Sequence, residues 1–167
     1  DGTVDENCAT GPFLTNPSDI FNPSVYGGHM AYLGLFDGNI DVEFHDLRTG
    51  GIRRITTTTE NKGDPHVHGQ FVVFSRGEDA ASRIVLYDLE TDTETVLTTT
   101  QSGNPRIYWN NVVYEDYRAA NWDVYRYDFN ASTEHVVSND ATVNEIEPDI
   151  HENRIAYTTG NAAGDWD

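Results

Sequence analysis

Four proline-centred segments recur along this chain, and no other feature of the sequence constrains its fold as strongly. Each segment opens with a polar residue and a proline, continues through β-branched residues and closes with an aromatic residue nine positions after the proline. The segments are 22–32, 64–74, 104–114 and 147–157. Their prolines are spaced by 42, 40 and 43 residues. Self-similarity at a nearly fixed period indicates a repeat architecture.

Two further sets of similar segments follow each of the first three prolines, so that each unit contains four short strands separated by turn residues. The later strands are predicted near 42–47, 84–89 and 124–129, and near 52–56, 94–98 and 134–138. Asp46–Gly50 and Asp88–Asp92 are predicted turns between third and fourth strands. Four strands in each 40 to 43 residues, repeated in tandem, predict an all-β fold, the β-propeller.

Propeller blades must stack because a single blade has two apolar faces and cannot bury both alone. The closing aromatic residues of the four segments are therefore predicted to lie in the core between blades. They are Tyr32, Phe74, Tyr114 and Tyr157.

The chain divides into an N-terminal tail, 1–12, and a propeller region, 13–167. The predicted blades are 22–60, 64–102, 104–143 and a partial 147–167, with Phe13–Thr15 as a leading fourth strand. This count fits a four-bladed ring lacking one strand, or half of a larger ring. A fragment of a longer protein, or a chain completed by a second copy of itself, is favoured over a self-sufficient monomer of four blades.

The charge of the chain excludes several classes of partner. Ten Lys and Arg stand against 28 Asp and Glu, a net charge of −18, so binding to nucleic acid phosphates is electrostatically opposed. Lys62 is the only lysine and Asp outnumbers Glu, a bias that resembles salt-adapted proteins. Dense carboxylates repel one another weakly when salt shortens the screening length. No apolar run is long enough to span a membrane.

The stretch from Asn104 to Asp128 carries a family resemblance. It resembles the propeller repeat of archaeal surface-layer-associated proteins and, more broadly, is similar to TolB-type propellers. The resemblance extends over residues 13–167, and it implies an extracellular or cell-surface protein, mostly without enzymatic activity. The loop Asp116–Asp123 matches the family's loop between second and third strands, whereas the second unit replaces it with Arg76–Arg83.

Candidate metal ligands lie in the same loop of the first unit. Asp37, Asn39 and Asp41 alternate along a tight turn, and oxygen ligands so arranged suit Ca²⁺, which tolerates irregular geometry. Asp123 repeats part of this motif in the third unit. The alternative is a turn whose side chains cap their own backbone amides. Calcium is the only cofactor that the sequence suggests.

Histidines on the proline-containing strands allow an alternative, enzymatic interpretation. In a polysaccharide lyase, His and Tyr side chains act as base and acid on a uronic sugar whose carboxylate is neutralised by Arg. The candidates are His66, His68, Arg106, Tyr108 and His151. General acid–base catalysis requires that such groups reach one substrate. Convergence in an open pocket would favour an enzyme, whereas burial between blades would favour packing.

The favoured interpretation is a non-enzymatic extracellular or cell-surface module for structural assembly or for binding protein or glycan. The predicted ligand-binding residues are Asp116, Arg118, Asn121 and Trp122, in the loop between second and third strands of the third unit. Asn130 begins the single Asn-X-Ser/Thr sequon without proline, in a predicted exposed turn, and is the candidate glycosylation site. The alternative is a carbohydrate-active lyase or hydrolase.

Overall fold

A computed structural model describes residues 20–161, which form fourteen strands and one short 3-10 turn. The first sheet contains β1 (Ile20–Tyr26), β2 (His29–Phe36), β3 (Asn39–Asp46) and β4 (Gly51–Arg54). The second contains β5 (Lys62–His68), β6 (Phe71–Arg76), β7 (Arg83–Asp88) and β8 (Thr93–Val96). The third contains β9 (Ser102–Tyr108), β10 (Asn111–Asp116), β11 (Asp123–Asp128) and β12 (Thr133–Ser138). The last hairpin pairs β13 (Val143–His151) with β14 (Arg154–Asn161).

Each sheet is an antiparallel meander in which the strands pair in chain order. The predicted four-stranded units and their turns are confirmed, and the first strands β1, β5, β9 and β13 lie next to one another in that order. The predicted tail 1–12, the leading strand Phe13–Thr15, and Asp165 to Asp167 lie outside the described residues.

The four prolines have the same structural role. Each lies at a β-bulge in the first strand of its unit, where the pairing with the second strand shifts by one residue. The residue before each proline has a left-handed backbone, with φ between 48° and 54°; these residues are Asn22, Asp64, Asn104 and Glu147. A bulge bends a strand and re-aims its side chains. The proline motif therefore sets the bend of every innermost strand.

Two apolar clusters hold the sheets together. The first joins the first and second sheets and includes Leu33, Phe44, Val67 and Phe74. The second joins the second and third sheets. It contains Ile84 from the second sheet together with buried aliphatic and aromatic residues from the third sheet. The second sheet is therefore buried on both faces, as a blade inside a propeller must be.

The predicted aromatic core is confirmed at three positions. Tyr32, Phe74 and Tyr114 are at most 1% exposed, whereas Tyr157 is 38% exposed. Tyr157 lies on β14, whose outer edge pairs with no other strand among residues 20–161. Its partial exposure follows from that position.

The loop Arg76–Arg83 of the second unit contains a 3-10 turn at Asp79–Ala81 that the sequence did not predict. Gly77 makes this turn feasible, because its φ is 94° and a Cβ there would lie 2.8 Å from the Ala81 carbonyl oxygen. A side chain at position 77 would force the loop open.

No helix among residues 20–161 has the length and apolar character needed to cross a membrane.

Candidate functional site

The neighbouring first strands carry two layers of side chains at equivalent positions. The residues one position after each proline form a polar layer: Ser24, His66, Arg106 and Asp149. The residues three positions after each proline form a layer of rings: Tyr26, His68, Tyr108 and His151. These layers are two residues apart, the spacing that places side chains on one side of a strand.

The polar layer borders a cavity of about 430 Å³, lined in part by Asn22, Asp64, His66 and Arg106. Burial and, to a smaller extent, the nearby Arg106 guanidinium together lower the pKa of His66 to about 4, so the imidazole is neutral near pH 7. Its Nδ1 accepts the backbone N–H of Ile107 at 3.3 Å. The neutral ring therefore carries its proton on Nε2 and can donate but not accept there.

The ring layer forms a continuous row of ring contacts, stacked between Tyr26 and His68 and tilted in the other two pairs, which we call the ring stack. Centroids are 3.9 Å apart for Tyr26 and His68, 4.9 Å for His68 and Tyr108, and 4.9 Å for Tyr108 and His151. His68 is 5% exposed, burial lowers its pKa, and its Nδ1 accepts the backbone N–H of Trp109 at 3.3 Å. Aromatic contacts of this geometry stabilise packing.

The five alternative catalytic residues are thus divided between two environments. His66 and Arg106 line the cavity, whereas His68, Tyr108 and His151 belong to the ring stack. Both His66 and His68 use Nδ1 to accept a backbone N–H from β9 or the turn after it. This arrangement gives acid–base chemistry no substrate position that all five residues share.

The turn after the first strand of the third sheet carries a tryptophan, Trp109, at a position where the first two sheets have glycine. The first residue of each two-residue turn has φ between 54° and 59°: Gly27, Gly69, Trp109 and Glu152. Glycine adopts this conformation freely, whereas a bulky aromatic residue rarely does. Trp109 is nevertheless 65% exposed, the largest exposed fraction of any large apolar side chain among the described residues.

Trp109 overhangs an apolar pocket of about 230 Å³, which we call the Trp109 pocket. Its lining residues are Tyr26, His68, Gly69, Gln70, Phe71, Trp109, Asn110, Phe129 and Asn130. Phe71 and Phe129 meet edge to face at 4.9 Å and form its wall. The side-chain amides of Gln70 and Asn110 already donate to Asp88 and Asp128, at 3.4 and 2.7 Å.

The predicted ligand-binding residues lie together, but their polar groups are engaged with the protein. Asp116 is fully buried and accepts hydrogen bonds from Arg118, Thr100 and Ser102. Arg118 also pairs with Glu134 and lies 3.9 Å from the centroid of Tyr125. Burial alone would raise the pKa of Asp116, but the hydrogen bonds donated to its carboxylate by Arg118, Thr100 and Ser102 hold that pKa below its usual value.

Asn121 and Trp122 complete the same loop. The Asn121 side-chain amide donates to Asp123 and to the carbonyl oxygens of Asp140 and Val143. The backbone N–H of Trp122 donates to the side chain of Asn144. The Trp122 ring lies 5.2 Å from Tyr117 beside a cavity of about 340 Å³. Ligand binding by this loop remains a prediction.

The predicted calcium ligands of the first loop do not converge on one point. Asp37 is exposed in the turn after β2, whereas Asp41 is fully buried and bonds to Arg54, Lys62 and Thr56. Asn39 directs its NH₂ group, a donor, toward Asp41. Among residues 20–161 no three His, Cys, Asp or Glu side chains form a cluster able to hold a metal ion. Asp123, the fourth predicted ligand, lies buried at the start of β11.

Asn130 lies in the turn between β11 and β12, as predicted, and also lines the Trp109 pocket. An N-linked glycan at Asn130 would therefore stand beside Trp109. Glycosylation itself remains a prediction.

Sequence reasoning missed the walls of the Trp109 pocket, because Phe71 and Phe129 are separated by 58 residues and meet only when the second and third sheets pack. A signal for Trp109 was present in the repeat alignment. Its position is glycine in the first two units, so a tryptophan there contradicts the local backbone preference.

Comparison with solved structures supports the fold. TolB from Acinetobacter baumannii is similar with a TM-score of 0.75 and 18% identity, over 92% of this chain and 41% of that one. A protein described as TolB from Agrobacterium tumefaciens is similar with a TM-score of 0.66 and 16% identity, over 81% of this chain and 52% of that one. This chain therefore spans about half or less of each.

The computationally designed Ika4 protein is also similar, with a TM-score of 0.60, 14% identity and 91% of each chain covered. No family model and no curated protein matches the sequence. At these identities the comparisons show the fold alone: the chain adopts the TolB-like β-propeller fold.

Proposed function

We propose that this chain is a non-enzymatic binding module that docks a partner protein on the Trp109 pocket. One observation carries the proposal: a tryptophan holds a backbone conformation suited to glycine and remains 65% exposed over a pocket with aromatic walls. A left-handed conformation at a non-glycine residue costs about 1–3 kcal/mol, and such strain concentrates at functional sites. Aromatic anchors set in pockets dominate the energetics of protein interfaces.

The chemistry of the pocket favours an apolar side chain over a sugar. Sugar hydroxyls require several hydrogen-bonding partners, yet the amides of Gln70 and Asn110 are already bonded to Asp88 and Asp128. The remaining lining consists largely of Tyr26, Phe71 and Phe129 rings. An aromatic or aliphatic anchor residue would bury this ring surface.

The charge of the chain indicates what should flank that anchor. Asp88 and Asp128 accept hydrogen bonds from two amides that line the pocket, and the whole chain carries a net charge of −18. Lys or Arg residues beside the anchor would complement this field, raise the association rate and make binding weaken with salt. The proposed partner is therefore a protein segment with an apolar residue next to basic ones.

The histidines support a binding role over a catalytic one. A base must offer a free lone pair to substrate, and His66 and His68 use the Nδ1 lone pair on backbone N–H groups. We place the module at a cell surface in a saline medium, as in the archaeal surface-layer-associated proteins whose repeat it resembles. The excess of carboxylates supports this location. We also propose that the chain associates with a second copy of itself to complete a ring of blades.

Replacing Trp109 with glycine should separate binding from folding. Trp109→Gly relieves the left-handed strain and restores the residue found at this turn position in the first two units. We expect the free energy of unfolding to change by no more than about 1 kcal/mol. The relieved strain stabilises the variant, whereas the lost contacts and the greater freedom of glycine in the unfolded chain destabilise it, and these effects offset each other. Urea unfolding checks this. If Trp109 were a core residue, the loss would reach about 3–5 kcal/mol.

A displayed library of random peptides tests the proposed partner class directly. Selection on the wild-type chain should enrich peptides with an apolar anchor beside Lys or Arg, and selection on Trp109→Gly should not. Val136→Thr is the matched control, since Val136 is 53% exposed on β12 and does not line the pocket. Equal enrichment on wild type and Trp109→Gly, or binding only to a polysaccharide array, would contradict the proposal.

A further inference from the structure

The junction between the first and second sheets contains a buried cation in a defined slot. Lys62 and Asp41 are both fully buried as side chains, and Nζ lies 3.0 Å from Oδ1. The ammonium also donates to the carbonyl oxygens of Thr58, at 3.1 Å, and Glu60. One positive group thus joins a carboxylate and two main-chain oxygens, as a buried charge requires.

The junction between the third sheet and the last hairpin has the same local frame. Asn39 donates to Asp41 at 2.9 Å, and Asn121 donates to Asp123 at 2.8 Å. The next residue in each loop donates its backbone N–H to an asparagine of the following unit, Ile40 to Asn61 and Trp122 to Asn144, both at 3.0 Å. The two junctions are therefore structural counterparts.

The counterpart of Lys62 in this second frame is an acid. Lys62 and Glu145 each stand three residues before their proline, Pro65 and Pro148. Glu145 is 2% exposed and Asp123 is 1% exposed. Oε1 of Glu145 accepts hydrogen bonds from Ser138 and Asp140, at 2.6 and 3.3 Å.

The other oxygen of each acid is buried and bonded to nothing in the described part of the chain: Oδ2 of Asp123 and Oε2 of Glu145. Arg118, in the loop before Asp123, pairs instead with Asp116 and Glu134. Two buried carboxylates that are both ionised repel each other unless a cation lies between them. The slot that Lys62 fills in one junction is thus unfilled in the other.

We propose that a calcium ion binds between Asp123 and Glu145, in the place that the Lys62 ammonium takes in the first junction. The free donors are carboxylate oxygens, which suit a hard cation, and the two negative charges balance Ca²⁺. The ion fastens the last hairpin to the third sheet, since Asp123 begins β11 and Glu145 lies on β13.

The surroundings can supply the remaining ligands. Calcium takes six to eight oxygens and accepts main-chain carbonyls and water among them. The cavity of about 340 Å³ is lined by Asn121, Trp122, Val143 and Asn144, the residues that flank the two acids. The cavity therefore lies next to both acids along the chain, although neither acid lines it.

Thermal unfolding of the full chain with calcium tests the site. At a free calcium concentration about a hundredfold above Kd, at constant ionic strength and pH 7, the melting temperature of the wild type should rise by about 5–10 °C. Asp123→Asn and Glu145→Lys should abolish this rise, and Glu145→Lys should melt higher than the calcium-free wild type because it reproduces the Lys62 junction. Asp37→Asn and Glu152→Gln, at exposed positions, should keep the full rise.

Three results would overturn the site. The first is a wild-type melting temperature that does not change in millimolar calcium. If Asp123→Asn also melted higher than the wild type at pH 7, the two acids would share a proton or simply repel each other without a bound ion. A rise lost in Asp37→Asn would place the ion in the first loop instead. An equal rise with sodium at the same ionic strength would rule out a divalent site.

Discussion

Lys62→Met should destabilise the protein by about 3–5 kcal/mol, because it leaves Asp41 buried without its principal cation. Methionine fills a similar volume, so the lost free energy of unfolding reflects charge and hydrogen bonding more than packing. Urea unfolding of both proteins at pH 7 measures this free energy. The matched control is Arg48→Met, which breaks the ion pair with Asp46 at a site where the arginine is 66% exposed. We expect that control to cost less than about 1 kcal/mol.

The pH dependence gives this prediction a second readout. Burial alone would raise the pKa of Asp41, but hydrogen bonds from Thr56, Lys62, Asn39 and Arg54 outweigh it and hold the pKa below its usual value. A carboxyl group with a lowered folded-state pKa stabilises the fold above its unfolded pKa, and that stability is lost as the pH falls through the folded pKa. The gap between wild type and Lys62→Met should therefore narrow in acid. A gap that is constant with pH would argue that Lys62 acts by packing.

Ile107→Ala should cost about 2–5 kcal/mol, whereas Val25→Ala at the equivalent repeat position should stay within about 0.5 kcal/mol. Both residues stand two positions after a proline, but Ile107 is 1% exposed between the second and third sheets and Val25 is 61% exposed. Denaturant unfolding of the two variants checks the difference. Comparable losses would mean that the first sheet packs on a further surface in solution.

Most of the fold could be predicted from the sequence because its determinants are local and repeated. Each proline specifies a bulge, and each unit repeats strands rich in β-branched and aromatic residues between turn residues such as Asp46 and Asp88. Four copies of these weak signals reinforce one another. The 3-10 turn at Asp79–Ala81 was missed because it occurs in one unit alone.

The candidate site was harder to predict because it depends on contacts between units. Composition could not show that Lys62, the single lysine, pairs with Asp41 across two sheets, which removes that carboxylate from the predicted calcium loop. The histidines pose the same difficulty. Whether His66 and His68 act as bases depends on which nitrogen meets a backbone N–H of the next sheet, and only the packed structure gives that contact.

The proline bulges separate the shape of the innermost strands from the chemistry they display. Ser24, His66, Arg106 and Asp149 occupy one equivalent position, yet they comprise a hydroxyl, an imidazole, a guanidinium and a carboxylate. The preceding proline and its left-handed neighbour set the bend whichever side chain follows. Selection could therefore alter the side chains that these innermost strands display one substitution at a time, without changing the bend of the strands.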